Sequence, residues 1–229
     1  MLERPVHEHI SELTDTLVFL ALSVHRNLLL ALDALKEMDT EKARRVKNAD
    51  YDINEAEVQL ETQCLSFLAL QQPVARDLRT IVAIMKINDD IERIGDLSVH
   101  IVERSQDIDR ELQKYYDLES AGAKVADMLQ YAIDAFAQKD TAKAARVFTT
   151  EQEINYMYRT IVRNVMASMK TPSGEIEQLI AVLSVSRYLE RIADHATKTA
   201  REVVHLVTGQ TAPRQRESSY EKLFESLRN

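Results

Sequence analysis

Two five-residue segments put the same chemistry in two places. Glu92-Arg93-Ile94-Gly95-Asp96 recurs as Glu190-Arg191-Ile192-Ala193-Asp194. In each, two carboxylates stand four residues apart, so on a helix they project from one face. Like charges at that spacing repel and cost a little helix stability unless something neutralises them. The neighbouring guanidiniums of Arg93 and Arg191 are one neutraliser. A bound hard cation is the other, because Mg²⁺, Mn²⁺, Ca²⁺ and iron favour carboxylate oxygen. A second repeated element, Asp50-x-x-x-Asn54 and Glu151-x-x-x-Asn155, has the same spacing. If the helices that carry them are neighbours, each half of the chain brings two such pairs together. A lone carboxylate pair reads first as a solvated helix face. Its repetition at matching places sets the cation reading beside that one.

The other chemistry-bearing residues say less. His7, His9, His25, His100, His195 and His205 do not repeat between the halves and read as ordinary surface or boundary residues. No Ser-His-Asp arrangement follows from spacing. Cys64 stands alone between Gln63 and Leu65, cannot form an internal disulfide, and reads as a small core residue that fits a reducing compartment. Tyr156, Met157, Tyr158 and Met166 are expected to pack in a core rather than to surround a cofactor. No phosphate-cradling loop can be assembled from Gly95, Gly122, Gly174 and Gly209, which removes the Gly-rich nucleotide-binding classes.

The elements that position these residues also come in two copies. Asp39-Thr40-Glu41-Lys42-Ala43-Arg44-Arg45-Val46 recurs as Asp140-Thr141-Ala142-Lys143-Ala144-Ala145-Arg146-Val147. Ile53-Asn54 maps onto Ile154-Asn155 at that same offset of 101, whereas Glu92 maps onto Glu190 at 98. The three-residue difference falls in one connection, near Pro73 and Pro172, where a duplication tolerates it. Ile84, Ile87, Ile91, Ile94, Ser98 and Ile101 alternate spacings of three and four, and Val182, Val185, Leu189, Ile192, Ala196 and Thr199 repeat the stripe. Ile10, Leu13, Leu17, Leu20 and Val24 form another. These are helix-packing seams. Breaks fall at residues 38–40, 71–73, 105–109, 139–141, 171–174 and 208–209, with Asp39 and Asp140 as N-caps and Gly209 as a C-terminal stop.

Six helices of roughly 30 residues, each about 45 Å long, follow from this. The expected fold is all-α: two tandem antiparallel three-helix bundles related by internal duplication. The first covers residues 5–107, the second 108–208, and residues 209–229 form a polar tail in which residues 220–227 could add an amphipathic turn or two. Four glycines and four prolines in 229 residues leave few turns for a β-rich fold. The formal charge of −8 disfavours nucleic acid and anionic lipid as broad partners. The start of the chain lacks a signal-peptide pattern, and the apolar run at residues 17–22 is far short of the roughly 20 residues of a membrane span, so a soluble, cytoplasmic protein is expected.

Gln72-Pro73-Val74-Ala75-Arg76-Asp77-Leu78-Arg79, followed by Lys86-Ile87-Asn88-Asp89-Asp90-Ile91-Glu92-Arg93-Ile94-Gly95-Asp96, resembles the PhoU family, accessory regulators of bacterial phosphate-specific transport. Tyr188-Leu189-Glu190-Arg191-Ile192-Ala193-Asp194-His195 resembles the family's other copy, and the likeness spans residues 5–207. It implies two three-helix bundles and a homodimeric cytoplasmic protein without catalytic activity. It also implies negative regulation of phosphate uptake and the phosphate regulon, through the transporter's ATP-binding subunit and a sensor histidine kinase at the inner membrane. The family's paired acidic motifs imply divalent or iron ions, with Mg, Mn, Fe and Zn all open. That role falls on Glu92, Asp96, Glu190 and Asp194, with Asp50 and Glu151 as second-helix candidates. Asn54 and Asn155 depart from a strictly acidic pair, and the charged Arg76-Asp77 has no charged-pair counterpart at Gly174-Glu175.

Two rival readings stand beside it. A metal-free helical scaffold would use the same bundles without a bound ion. A ferritin-like di-metal protein needs a Glu-x-x-His from each of two helices, and only Glu202-x-x-His205 fits.

Overall fold

A computed structural model of the chain describes residues 5–170 and 175–210. Pro172, Gly174 and the expected turn at residues 220–227 lie outside these. The described residues form seven helices and no strand: α1 (Pro5–Glu37), α2 (Thr40–Gln71), α3 (Ala75–Ser105), α4 (Arg110–Tyr115), α5 (Leu118–Gln138), α6 (Thr141–Ser168) and α7 (Ile176–Thr208). Helices α1–α3 pack as one antiparallel bundle and α5–α7 as a second. The count differs from the six expected. Around residues 106–117 the chain forms the short helix α4, capped by Asp109, and Asp117 takes a left-handed conformation that forces α5 to start anew.

The duplication is visible in the caps. Asp39 accepts from the N–H groups of Glu41 and Lys42, and Asp140 from those of Ala142 and Lys143. Each satisfies two of the orphan donors at a helix start. The preceding helices close in matching fashion, with Met38 and Lys139 left-handed at φ 58° and 53°. The Asp39 N–H donates to the Ala34 carbonyl, and the Asp140 N–H to that of Ala135. In a chain so poor in glycine, non-glycine residues hold these turns, and the backbone hydrogen bonds offset the steric cost.

Both apolar stripes are buried along their length, from Ile84 to Ile101 in α3 and from Val182 to Thr199 in α7. Each fully buried Ile, Leu or Val contributes about 1.5–3 kcal/mol by leaving water. Cys64 is buried among them, which pushes its thiol up to about 11 and keeps it protonated. By length and composition α1 is apolar enough to cross a membrane, but Leu13, Leu17, Leu20, Val24 and Leu28 lie in the protein's own core.

The bundles meet along α3 and α7, which run antiparallel. Lys86 reaches Glu202 at 3.0 Å, His195 meets Asp90 at 2.8 Å, His100 stacks on Tyr188, and the Asp109 N–H donates to Gln178. This register brings Ile94 level with Ile192, positions related by the 98-residue offset. The pseudo-twofold of the duplication therefore crosses the middle of both repeated acidic motifs. His195 is buried in this seam, so the surface or boundary placement expected of the histidines fails there. Tyr156 and Met166 correct another expectation: they are exposed on α6, because that helix turns its outer face away from α5 and α7.

Candidate functional site

In the first bundle, α2 and α3 turn one acidic face toward each other. Gly95 makes the approach close: a β-carbon there would lie 3.2 Å from the Asp50 Oδ1. Asp50 thus hangs over α3 at Gly95, near Asp96. The Asn54 side-chain N–H donates to the Asp50 Oδ2 at 3.3 Å. One turn further on, the Asn88 amide donates to the Glu57 Oε1 at 2.8 Å and to the Glu57 carbonyl at 3.1 Å. Arg93 is the counter-charge, 3.3 Å from Glu92 and 3.4 Å from Asp96.

These groups are under electrostatic strain. Burial, and then the charge of Asp96, push the Asp50 carboxyl above its ordinary range. Burial and Asp96 do the same to Glu92, while burial and then Glu61 raise Glu57. Each would be relieved by a cation. The side-chain oxygens Asp50 Oδ1, Asn54 Oδ1 and Asn88 Oδ1 are buried without a hydrogen-bond partner. Unsatisfied buried oxygen is costly, and in native proteins such groups usually answer to a water or an ion. Neutral amide oxygens can ligate hard cations alongside carboxylates, though more weakly. Among the described residues, no group of three or more His, Cys, Asp or Glu side chains is placed so as to hold a metal ion by itself.

The second bundle repeats the positions with other charges. Glu151 takes the place of Asp50, and its carboxyl is raised by burial, lowered by Arg201 and raised again by Asp194. Glu190 is raised by burial and by Asp194, against Arg187, whose guanidinium lies 2.6 Å from it. The offset explains the change. Asp89 corresponds to Arg187, Glu103 to Arg201 and Glu57 to Tyr158. On the first face Arg93 stands against Glu57, Glu92 and Asp96, with Asp50 beside Asp96 and Asp89 beside Glu57 and Glu92; on the second, three carboxylates, Glu151, Glu190 and Asp194, stand among Arg187, Arg191 and Arg201.

The structure brings Asp50 and Glu92 each near Asp96 on the first face, and Glu151 near Asp194 and Glu190 on the second. The sequence reading missed Glu57, although it follows Asp50 and Asn54 at the next helical step on the same face. It also missed the charge reversals, which a residue-by-residue comparison of the two copies would have exposed. Glu202 of the rival Glu-x-x-His pair is engaged by Lys86 across the bundle seam.

The family described as PhoU domain matches residues 19–105 and 118–203, once for each bundle. The chain is 32% identical to the phosphate-specific transport system accessory protein PhoU homolog of Deinococcus radiodurans, over 82% of this chain and 89% of that one. It is 31% identical to the Escherichia coli protein of that name, covering 82% and 78% of the two chains. The crystal structure of PhoU from Pseudomonas aeruginosa superimposes with a TM-score of 0.83 at 30% identity, covering 89% of this chain and 99% of that one. That from Streptococcus pneumoniae gives 0.83 at 26%, covering 91% and 100%. Two domain matches in register with the internal duplication, together with this shared architecture, show that the chain belongs to the PhoU family.

Proposed function

We propose that the protein is a regulatory adaptor of bacterial phosphate homeostasis that binds metal ions on its acidic helix faces. In this reading it acts in the cytoplasm as a homodimer and restrains phosphate uptake and the phosphate regulon. It does so by coupling the ATP-binding subunit of the phosphate transporter to a sensor histidine kinase, and it catalyses no reaction itself. The relatives' name as accessory proteins of phosphate-specific transport supports the coarse role.

The observation that carries the metal part is the α2–α3 face, where Asp50, Asn54 and Asn88 hold buried, unpartnered oxygens beside Glu92 and Asp96. Carboxylate and amide oxygens are the ligand types that a hard divalent cation or iron takes, which supports this reading. Glu190, Asp194 and Glu151 would form a weaker second site, since Arg187 and Arg201 already neutralise part of their charge. When bound, the ion would supply positive charge that fixes α2 against α3 and thereby the surface offered to partners.

The test is genetic and biochemical together. Deletion in a bacterial host should derepress phosphate-starvation genes in phosphate-rich medium, and the wild-type chain should restore repression. Unchanged expression would overturn the regulatory reading. An Asp50→Asn, Glu92→Gln, Asp96→Asn variant that restores repression fully while holding no metal would separate regulation from metal and refute their link.

A further inference from the structure

The outer side of α2 carries a row with the spacing of a helix-packing seam. Tyr51, Glu55, Val58, Thr62, Leu65 and Ala69 follow at alternate steps of four and three, and all six are exposed. Adding 101 gives Gln152, Tyr156, Arg159, Arg163, Met166 and Lys170 on α6, again all exposed. That alternation is how residues that meet a second helix are spaced. The outer side of a surface helix is ordinarily polar. Here Tyr51, Val58 and Leu65 are 77%, 56% and 51% exposed, and Tyr156 and Met166 are 70% and 58% exposed.

Charge sets the two rows apart. From residue 48 to residue 75 the chain holds five acidic residues and no Lys or Arg. From residue 154 to residue 174 it holds three basic residues and no Asp or Glu. Asp50 and Glu57 turn toward α3, which leaves Asp52, Glu55 and Glu61 exposed on α2. Arg159, Arg163 and Lys170 are exposed on α6. Among the described residues none of these six has an ion-pair partner. Glu55 accepts a hydrogen bond from the Gln59 amide, which is neutral. Neither set is therefore neutralised within one copy.

We propose that the α6 row of one copy docks on the α2 row of a second copy. Tyr156 and Met166 then cover Tyr51, Val58 and Leu65, while Arg159, Arg163 and Lys170 face Asp52, Glu55 and Glu61. Each row spans 18 residue steps, which is about 27 Å of helix. One helix pair of that length makes a small interface, weak and sensitive to salt. Like rows cannot pair, because α2 on α2 sets acid on acid and α6 on α6 sets base on base. Helix α2 packs on both α1 and α3, and α6 on both α5 and α7, so the rows face opposite sides of the molecule. Two docked copies thus leave one row of each kind open, and such a head-to-tail contact grows into chains or closes into a ring. It is separate from the homodimer of the regulatory reading.

Sedimentation equilibrium at low salt, from about 10 µM to 1 mM protein, tests this. Wild type should gain mass beyond the dimer, and about 0.5 M NaCl should reverse the gain, an arm that needs no variant. Arg159→Glu/Arg163→Glu and Asp52→Lys/Glu55→Lys should each abolish it. An equimolar mixture of the two variants should restore it, because one then offers two acidic rows and the other two basic ones. A mass that stops at the dimer would overturn the head-to-tail contact and leave the homodimer standing, whereas one that stays at the monomer would overturn both. Association that persists in either variant alone, or a mixture that stays apart with both variants folded by circular dichroism, would overturn the contact as well.

Discussion

At the acidic face of α2 and α3, Arg93 stands against Glu57, Glu92 and Asp96, with Asp50 and Asp89 adding further negative charge; at the related face of α6 and α7, three carboxylates stand among three arginines. The backbone around the two is nearly a copy. Asp39 and Asp140 cap α2 and α6 with ψ of 105° and 106° and the same pair of hydrogen bonds. The buried stripes of α3 and α7 match position for position. The comparison teaches that packing and capping tie down the duplicated frame, whereas half-exposed charges at its crossing are free to part. A buried isoleucine touches many neighbours at once, so a change there is felt throughout the core. Asp89 and Arg187 face partly open space, and reversing the charge between them leaves the helices where they are.

The largest effect that could break this picture lies in the frame. Ile94→Ala and Ile192→Ala should each destabilise the protein by about 2–5 kcal/mol, and by similar amounts, because both side chains are fully buried at the crossing. Urea unfolding of the two variants would check it. One large loss beside one near zero would refute the equivalence of the two halves.

The charged faces should respond unequally. In Asp50→Asn/Glu92→Gln/Asp96→Asn, affinity for Mn²⁺ should fall by about tenfold or more, equivalent to about 1.4 kcal/mol. The corresponding Glu151→Gln/Glu190→Gln/Asp194→Asn variant should lose less, since arginines already hold those carboxylates. Equilibrium dialysis with elemental analysis reads both, and equal losses would erase the proposed asymmetry.

The smallest effect sharpens the comparison through pH. Asp50 and Glu92 have folded values raised above the ordinary 3.8 and 4.5. A raised carboxyl costs stability above its folded value, and the cost fades as pH falls through that value toward the ordinary one. Metal-free wild type should therefore gain melting temperature relative to Asp50→Asn/Glu92→Gln as the pH drops from 7 toward about 5. Added metal should reverse the trend, because it favours the ionised form. Parallel melting curves across that range would show that the first face carries no stored repulsion.

Much of this molecule is legible in one dimension. Spacings of three and four in Ile84 through Ile101 declare a buried helix face, and the rarity of glycine and proline closes off β structure. The family resemblance rests on contiguous residues and could be read without coordinates. The short helix α4 could not, because six residues are too few to show a period. Nor could the burial of His195, whose partner Asp90 lies 105 residues away on the other bundle.

The sequence by itself determined the duplication, the six long helices, the Asp39 and Asp140 caps and the acidic pairs, since each depends on neighbours within a turn or two along the chain. Only the tertiary structure decided that Asp50 rests over Gly95, that oxygens of Asp50, Asn54 and Asn88 are left buried and unpartnered, and that Arg93 and Arg191 line one groove between the bundles. Those facts depend on the register and closeness with which helices pack. A charge's influence falls with distance through space and is strengthened where water is excluded, and neither quantity is written in the order of the residues.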